Sequence, residues 1–330
     1  MSLNYIKQLA YELSHRPQWL VLIETGLFII IALSFLVGNS CVLYVFYKTS
    51  SLRNRGTTYY LMALAISDIL MSLLVMPPNT LCCAYGGDVT GYNLGQAVGF
   101  VGFVLLYGSL QTTTLISINR FFCVVKPRLY RKYFTKKYIL LSIGAVWVIS
   151  LLFVGVFVVS GVASFVFHPG NMLYFLTAKD QTANRLFAAF SQISFGVIPL
   201  SITCVCYWKV HKAVEEHRKA LSRNLDTNYL SKEEVHITKS VLALVCGFAV
   251  CWIPCSMVHH ISVYANIPRQ VQMVIPYTAY FSSAINPIVY NIFNKPFRRH
   301  FFQVFRRSHR VGDSTTQSSF GMNQMRETKS

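Results

Sequence analysis

Residues 19–47 read WLVLIETGLFIIIALSFLVGNSCVLYVFY. A helix that crosses the apolar core of a bilayer needs about 20 such residues. The run is too long for the apolar core of a cleaved signal. The stretch before it, 1–18, mixes Lys7, Glu12 and Arg16 with polar residues. The run is therefore expected both to target the chain and to anchor it. Six more segments of this kind follow, at 57–83, 95–125, 138–163, 186–211, 236–263 and 270–292. The connections are short except near 164–185 and 212–235. With no long polar domain between them, these segments predict an all-α membrane protein. It is a single seven-transmembrane helix bundle over 19–293, behind a short N-terminal stretch, 1–18.

Composition points the same way. Of 330 residues, 53% are hydrophobic and 13% charged, too little charge for a surface that faces only water. A formal net charge of +18 would by itself suit nucleic acid, but its placement argues against that. Lys7, Arg16, Lys179, Arg185 and Arg269 fall at one end of the bundle, and the rest of the 30 Lys and Arg fall at the other. Lys126, Arg128, Arg131, Lys132, Lys136 and Lys137 fill one short loop. Basic loops stay cytoplasmic. The chain is thus expected in the plasma membrane with its N-terminus extracellular and its C-terminus cytoplasmic, its basic face toward anionic lipid and a cytosolic partner. Topology alone also accounts for most of these residues. The nine cysteines show neither paired spacing nor a metal-ligand pattern. No nucleophile–base pair or phosphate loop supports an enzyme.

Ionisable groups inside a bilayer are costly and default to functional candidates. Asp68 stands in mid-span and Arg120 near the basic end of the third segment. Asn39, Ser109, Ser283 and Asn286 lie at comparable depth. A carboxylate among hydroxyls and amides suits a small hard cation or a proton; it would equally serve as a hydrogen-bond knot holding helices together. Pro199, Pro254 and Pro287 interrupt segments five, six and seven. Each removes a backbone hydrogen bond and kinks its helix, either as a static bend or as part of a bundle that switches between packings.

Several motifs now fall in order. Gly38-Asn39 precedes Val42, and Leu64-Ala65-Ile66-Ser67-Asp68 follows in segment two. Asn119-Arg120-Phe121 ends segment three, with Pro127 beyond it. Trp147 stands in segment four, and Pro199 with Tyr207 in segment five. Phe248, Cys251, Trp252 and Pro254 form an FxxCWxP, and Asn286-Pro287-Ile288-Val289-Tyr290 an NPxxY. Over roughly 20–307 the chain resembles the rhodopsin-like G-protein-coupled receptors. Phe293 and Phe297 then open an amphipathic segment, 294–308, similar to that family's membrane-surface eighth helix. The tail, 309–330, is read as disordered and cytoplasmic.

The resemblance implies roles. An extracellular small-molecule or peptide ligand would shift a helix-bundle equilibrium and open the cytoplasmic face to a heterotrimeric G protein. Arg120, beside Asn119, would be locked by Glu234 at rest and released on activation. Tyr207 and Tyr290, with Asn286 and Pro287, would hold the open form. Asp68, Ser109, Ser283 and Asn286 match the family's sodium cluster, the one metal expected. Trp252 would sense ligand and Leu110, Pro199 and Phe248 would relay its shift. Ser314, Thr315, Thr316, Ser318 and Ser319 would, when phosphorylated by receptor kinases, suit an arrestin.

The departures concern mainly the input. Asn119 replaces the family's usual Asp, as in its melatonin-receptor-like branch. Gly95 stands at the family's helix-three cysteine, and no cysteine lies between Cys123 and Cys204. The usual tether of the outer loop is therefore missing, and the loop must be held otherwise or move. Arg128 follows Pro127 where a bulky apolar residue is usual. A pocket opening outward above Trp252 is expected from Gly102, Leu106, Ser191, Gln192, Phe195, Cys255, Ser256, His259, Tyr277 and Tyr280. Gly102 occupies the site of the amine receptors' Asp, which disfavours monoamines. The run NKPFR at 294–298 is opsin-like, yet Tyr280 replaces the retinal-binding lysine, so no retinal cofactor is expected. An opsin-related receptor without photosensitivity is thus an alternative. A seven-helix transporter or channel is a more distant one, because no internal repeat is visible.

Overall fold

A computed structural model describes residues 3–178, 180–222, 232–293 and 297–303. Among these, six helices are long and apolar enough to cross a membrane: Gln18–Lys48, Gly56–Tyr85, Gly91–Val125, Lys136–Val159, Gln181–Glu216 and Val241–Ser262. They are called spans one to six. A seventh, Val274–Phe293, completes the bundle and carries more polar side chains, among them Ser282, Ser283 and Asn286. Within these helices the backbone bonds close locally except where proline lacks its N–H, which is how a segment meets the demand of hydrocarbon. Many large apolar side chains, such as Leu22, Ile30 and Leu152, point outward. Residues 297–303 are helical as well, inside the expected eighth segment. Ser314, Thr315, Thr316, Ser318 and Ser319 of the tail lie outside the described residues.

Three features depart from the sequence reading. First, the N-terminal stretch is not a plain extension. Leu3–Ser14 is a helix, and Tyr5, Leu9 and Leu13, four residues apart, bury one face of it. The Tyr5 hydroxyl accepts from the Gln272 side-chain amide (2.6 Å) and from the Ile267 N–H (2.9 Å), and donates to the Ile267 carbonyl. The helix is thereby fastened to the connection between spans six and seven.

Second, the stretch read as a loop near 164–185 contains a hairpin. Strand β1 (Ala163–His168) pairs antiparallel with β2 (Leu173–Ala178), from Ala163 opposite Ala178 to His168 opposite Leu173. Phe165, Tyr174 and Leu176 are buried. Pro169-Gly170-Asn171-Met172 makes the turn, closed by Met172 N–H donating to the His168 carbonyl at 2.8 Å. Span five then starts at Gln181, earlier than its apolar run, with the Asp180 carboxylate accepting from the Ala183 N–H as N-cap.

Third, spans two and five each contain one π-helical turn, Met71–Val75 and Ile193–Val197. Prolines explain both. Pro77 and Pro78 cannot donate to the carbonyls of Leu73 and Leu74, and Pro199 cannot donate to that of Phe195. A wider turn lets the helix continue, and it rotates every later side chain relative to a regular helix. In span two that rotation sets the direction of Asn79, which is buried.

Candidate ligand cavity and switch residues

A cavity of about 370 Å³ lies among spans two, three, five, six and seven. Gly102, Leu106, Ser191, Gln192, Phe195, Cys255, Ser256, His259 and Tyr280 are among the residues that line it. Tyr277 does not. Its ring packs against Phe28 of span one, with centroids 5.6 Å apart, a ring that Tyr280 also meets, at 6.0 Å. The outward opening also needs correcting. Leu173, Tyr174 and Phe175 of β2 lie over the cavity, and Phe175 stacks on His259 at 5.0 Å. Tyr107, which the sequence reading missed, stacks on Phe195 at 4.2 Å and forms part of the wall.

The hairpin is held without a disulfide; all nine cysteines are free thiols. The Gln96 side-chain amide donates to the Phe165 carbonyl (2.6 Å) and accepts from the Phe165 N–H (2.9 Å), so one glutamine serves both backbone groups of β1. The Tyr174 hydroxyl donates to the Asp88 carboxylate at 2.6 Å, which also accepts from the Thr90 N–H and hydroxyl. Burial pushes the Asp88 carboxyl upward, but these donors outweigh it and hold it below its usual range. Gly95 and Gly99, one turn apart on span three, let the aromatic rings come close. A Cβ on Gly95 would lie 2.7 Å from the Tyr174 ring, and one on Gly99 would lie 2.4 Å from the Phe165 ring. The position of the family's cysteine is thus the seat of a tyrosine. Burial, with His259 nearby, lowers His168 to about 4, so the end of β1 carries an uncharged imidazole at neutral pH.

Deeper in the cavity, the Trp252 indole N–H donates to Ser282 at 3.2 Å, and Phe248 lies 5.5 Å from the Trp252 ring. Leu110 and Pro199 line the same space. At the floor, the Asn286 amide donates to the buried Asp68 carboxylate at 3.1 Å, and Ser283 faces that carboxylate too. Ser109 lines the floor, but its hydroxyl is paired with Ser67 at 2.8 Å. The donors there are all hard oxygens apart from the Asn286 amide nitrogen, a set that fits a small hard cation.

At the basic end, Arg120 and Asn119 are both buried. The Asn119 amide oxygen accepts from the Thr57 hydroxyl (2.7 Å) and from Arg120 Nη2 (3.2 Å), while its Nδ2 meets no partner. Tyr207 lies beside Arg120. Tyr207 and Tyr290 belong to one apolar cluster with Phe46 and Phe297. Tyr290 packs on Phe297 at 5.9 Å, which ties the NPxxY turn to the start of the eighth segment. The Glu234 side chain, expected to lock Arg120, lies outside the described residues.

One buried constellation was not anticipated. Glu24 of span one accepts a bidentate pair from Arg269, with Nη2 at 2.6 Å and Nη1 at 3.2 Å. Arg16 pairs with the same carboxylate and also donates to the Cys83 carbonyl of span two. The side chains are 2% exposed for each arginine and 8% for Glu24. The only available signal was a carboxylate inside an otherwise apolar run.

Comparisons with known proteins agree with this geometry. A family model described as "7 transmembrane receptor (rhodopsin family)" matches residues 38–290. The chain is 25% identical to the melatonin receptor type 1A of Gallus gallus, over 88% of the chain and 82% of that protein. It is 28% identical to a GQ-coupled rhodopsin of Mizuhopecten yessoensis, over 83% and 57%. It is 26% identical to the visual pigment-like receptor peropsin of Homo sapiens, over 82% and 80%. In fold it is similar to squid rhodopsin, with a TM-score of 0.76 at 22% identity, over 89% of the chain and 87% of that structure.

Proposed function

The chain belongs to the rhodopsin family of seven-transmembrane receptors, and from that premise we propose that a ligand in the roofed cavity drives activation of a heterotrimeric G protein. The hairpin end is then extracellular and the basic end cytoplasmic, in the plasma membrane. The observation that carries this reading is the continuity of the two sites. The cavity that meets Trp252 under the hairpin reaches down to Asp68 and Asn286, and Asn286 heads the NPxxY turn whose Tyr290 packs with Tyr207 beside Arg120. A ligand that prefers one packing around Trp252 shifts that whole column.

The test is nucleotide exchange on a panel of G proteins by the purified chain. Arg120→Ala should lower basal exchange to the receptor-free rate. Asn119→Asp replaces an unpartnered amide nitrogen with a carboxylate oxygen beside Arg120. It should lower basal exchange by about tenfold if it adds roughly 1.4 kcal/mol of restraint. Exchange that survives in Arg120→Ala on every G protein would remove the proposal.

The floor cluster supports a second element of this reading. Asp68, Ser109 and Ser283 would hold a sodium ion and so favour the resting packing. Basal exchange should fall as sodium replaces N-methylglucamine at constant ionic strength, and Asp68→Asn should abolish that response. An identical sodium response in Asp68→Asn would overturn it. Light reception is disfavoured, because the Tyr280 phenol cannot form an imine with retinal. An opsin-related receptor without photosensitivity therefore stays open as the alternative lineage. The arrestin and receptor-kinase partners rest on tail residues outside the described ones.

A further inference from the structure

Asn79 is on the cavity wall and is 1% exposed. Its Nδ2 donates to the Tyr280 hydroxyl at 2.9 Å, while its Oδ1 meets no partner. Turning the amide over does not remove the deficit. Oδ1 would then accept from Tyr280, and the amide NH₂ would be left without an acceptor. A buried amide edge with no partner is costly unless something else satisfies it. The pair faces a cavity whose described lining holds no Lys, Arg or Glu. The one carboxylate there, Asp68, is engaged by Asn286 at the floor, and His259 is stacked under Phe175. Val197, Ile253 and Met257 line the cavity and are also about half exposed on the apolar outside of spans five and six. A solute dissolved in the bilayer would meet the cavity there.

We propose that the cavity takes an uncharged, mainly apolar ligand with a single amide-like or hydroxyl group, and that Asn79 and Tyr280 hold this group. The assignment rests on reading the cavity as the receptor's ligand site. The selectivity is one of subtraction. An organic cation finds no carboxylate beside Asn79 and Tyr280, since Asp68 lies at the floor with Asn286, an anion finds no base, and a pure hydrocarbon leaves the Asn79 edge unpaired. A neutral group that both donates and accepts satisfies the amide in either orientation. The π-turn at Met71–Val75 precedes Asn79 in span two, and a wider turn rotates the residues after it relative to a regular helix.

Three probes of similar size test the proposal on the purified full-length chain in lipid nanodiscs, without G protein. They are acetanilide, ethylbenzene and protonated phenethylamine, with saturable binding read by ligand-observed NMR. Acetanilide should bind about tenfold more tightly than ethylbenzene, the discrimination expected of one buried neutral hydrogen bond. Phenethylamine should not outrank ethylbenzene. Asn79→Leu and Tyr280→Phe should each erase or narrow the acetanilide advantage and leave the ethylbenzene isotherm in place, which reports that the cavity is intact. Tyr280→Phe removes one oxygen only and carries the test if Asn79→Leu does not fold. Equal affinities in the wild type would mean that water already satisfies the amide, and would overturn the assignment. So would an advantage that persists in both variants, a preference for the amine, or no saturable binding of any probe. Because no G protein is present, a failure here is separate from a failure of nucleotide exchange.

Discussion

Glu24→Ala should be among the most destabilising single substitutions in this chain. It removes the shared acceptor of Arg16 and Arg269, whose guanidiniums are almost fully enclosed. A buried charge left without its partner typically costs about 3–5 kcal/mol. The loss would be felt in several elements together. Arg16 leads out of the N-terminal helix, Glu24 is in span one, the Cys83 carbonyl belongs to span two, and Arg269 precedes span seven. The thermal midpoint of the purified receptor should drop by many degrees, and exposure of Leu9 and Leu13 to protease should rise as the N-terminal helix detaches. The triple variant Arg16→Met, Glu24→Leu, Arg269→Met should regain most of the midpoint, because a buried ion triad is often no more stable than apolar side chains of similar volume. A midpoint unchanged in Glu24→Ala would mean that the pairs are hydrated and contribute as little as surface pairs, about 0–1 kcal/mol.

This triad also shows where sequence reading stops. The spans were legible because hydrocarbon imposes a length and a composition on every one of them. The order of Asp68, Arg120, Trp252 and Asn286 was legible because each motif is local. Glu24 and Arg269 are 245 residues apart, and nothing local joins them. The N-terminal helix was hidden for another reason. Tyr5, Leu9 and Leu13 do recur every four residues, but Lys7 and Glu12 between them made the stretch look merely polar. The hairpin was hidden by its neighbour, since the apolar residues of β1 ran on from span four. Its turn residues, Pro169-Gly170-Asn171, were the available signal. The π-turns required noticing that Pro77 and Pro78 sit inside an apolar run, as Pro199 does. Reading Pro199 only as a bend left out the π-turn before it. Reading span two as a regular helix concealed Asn79, the residue on which the ligand assignment depends.

The substitution Gly99→Val should have the largest effect at the hairpin end. The Phe165 ring and Cβ lie against Gly99 where a side chain would stand, at 2.4 and 2.8 Å from an ideal Cβ. Real side chains do not come so close, so either β1 lifts or span three recedes. Overpacking of this kind costs about 1–3 kcal/mol, and the geometry puts the strain on contacts that close the cavity. Lifting Phe165 pulls its backbone from Gln96. Because β1 and β2 are paired in register, Phe175 is then drawn off His259. The expected signature is therefore selective. Dissociation of a bound probe should accelerate by about an order of magnitude if roughly 1.4 kcal/mol of closure is lost, while the midpoint falls less than in Glu24→Ala. Gly95→Cys, which restores the family's cysteine at that position, should also loosen the hairpin, because the Tyr174 ring occupies the space. A Tyr174→Ala partner change should relieve Gly95→Cys but not Gly99→Val, since each glycine faces a different ring. If Gly99→Val leaves probe dissociation unchanged, the hairpin does not close the cavity and access runs wholly through the membrane-facing side at Val197 and Met257.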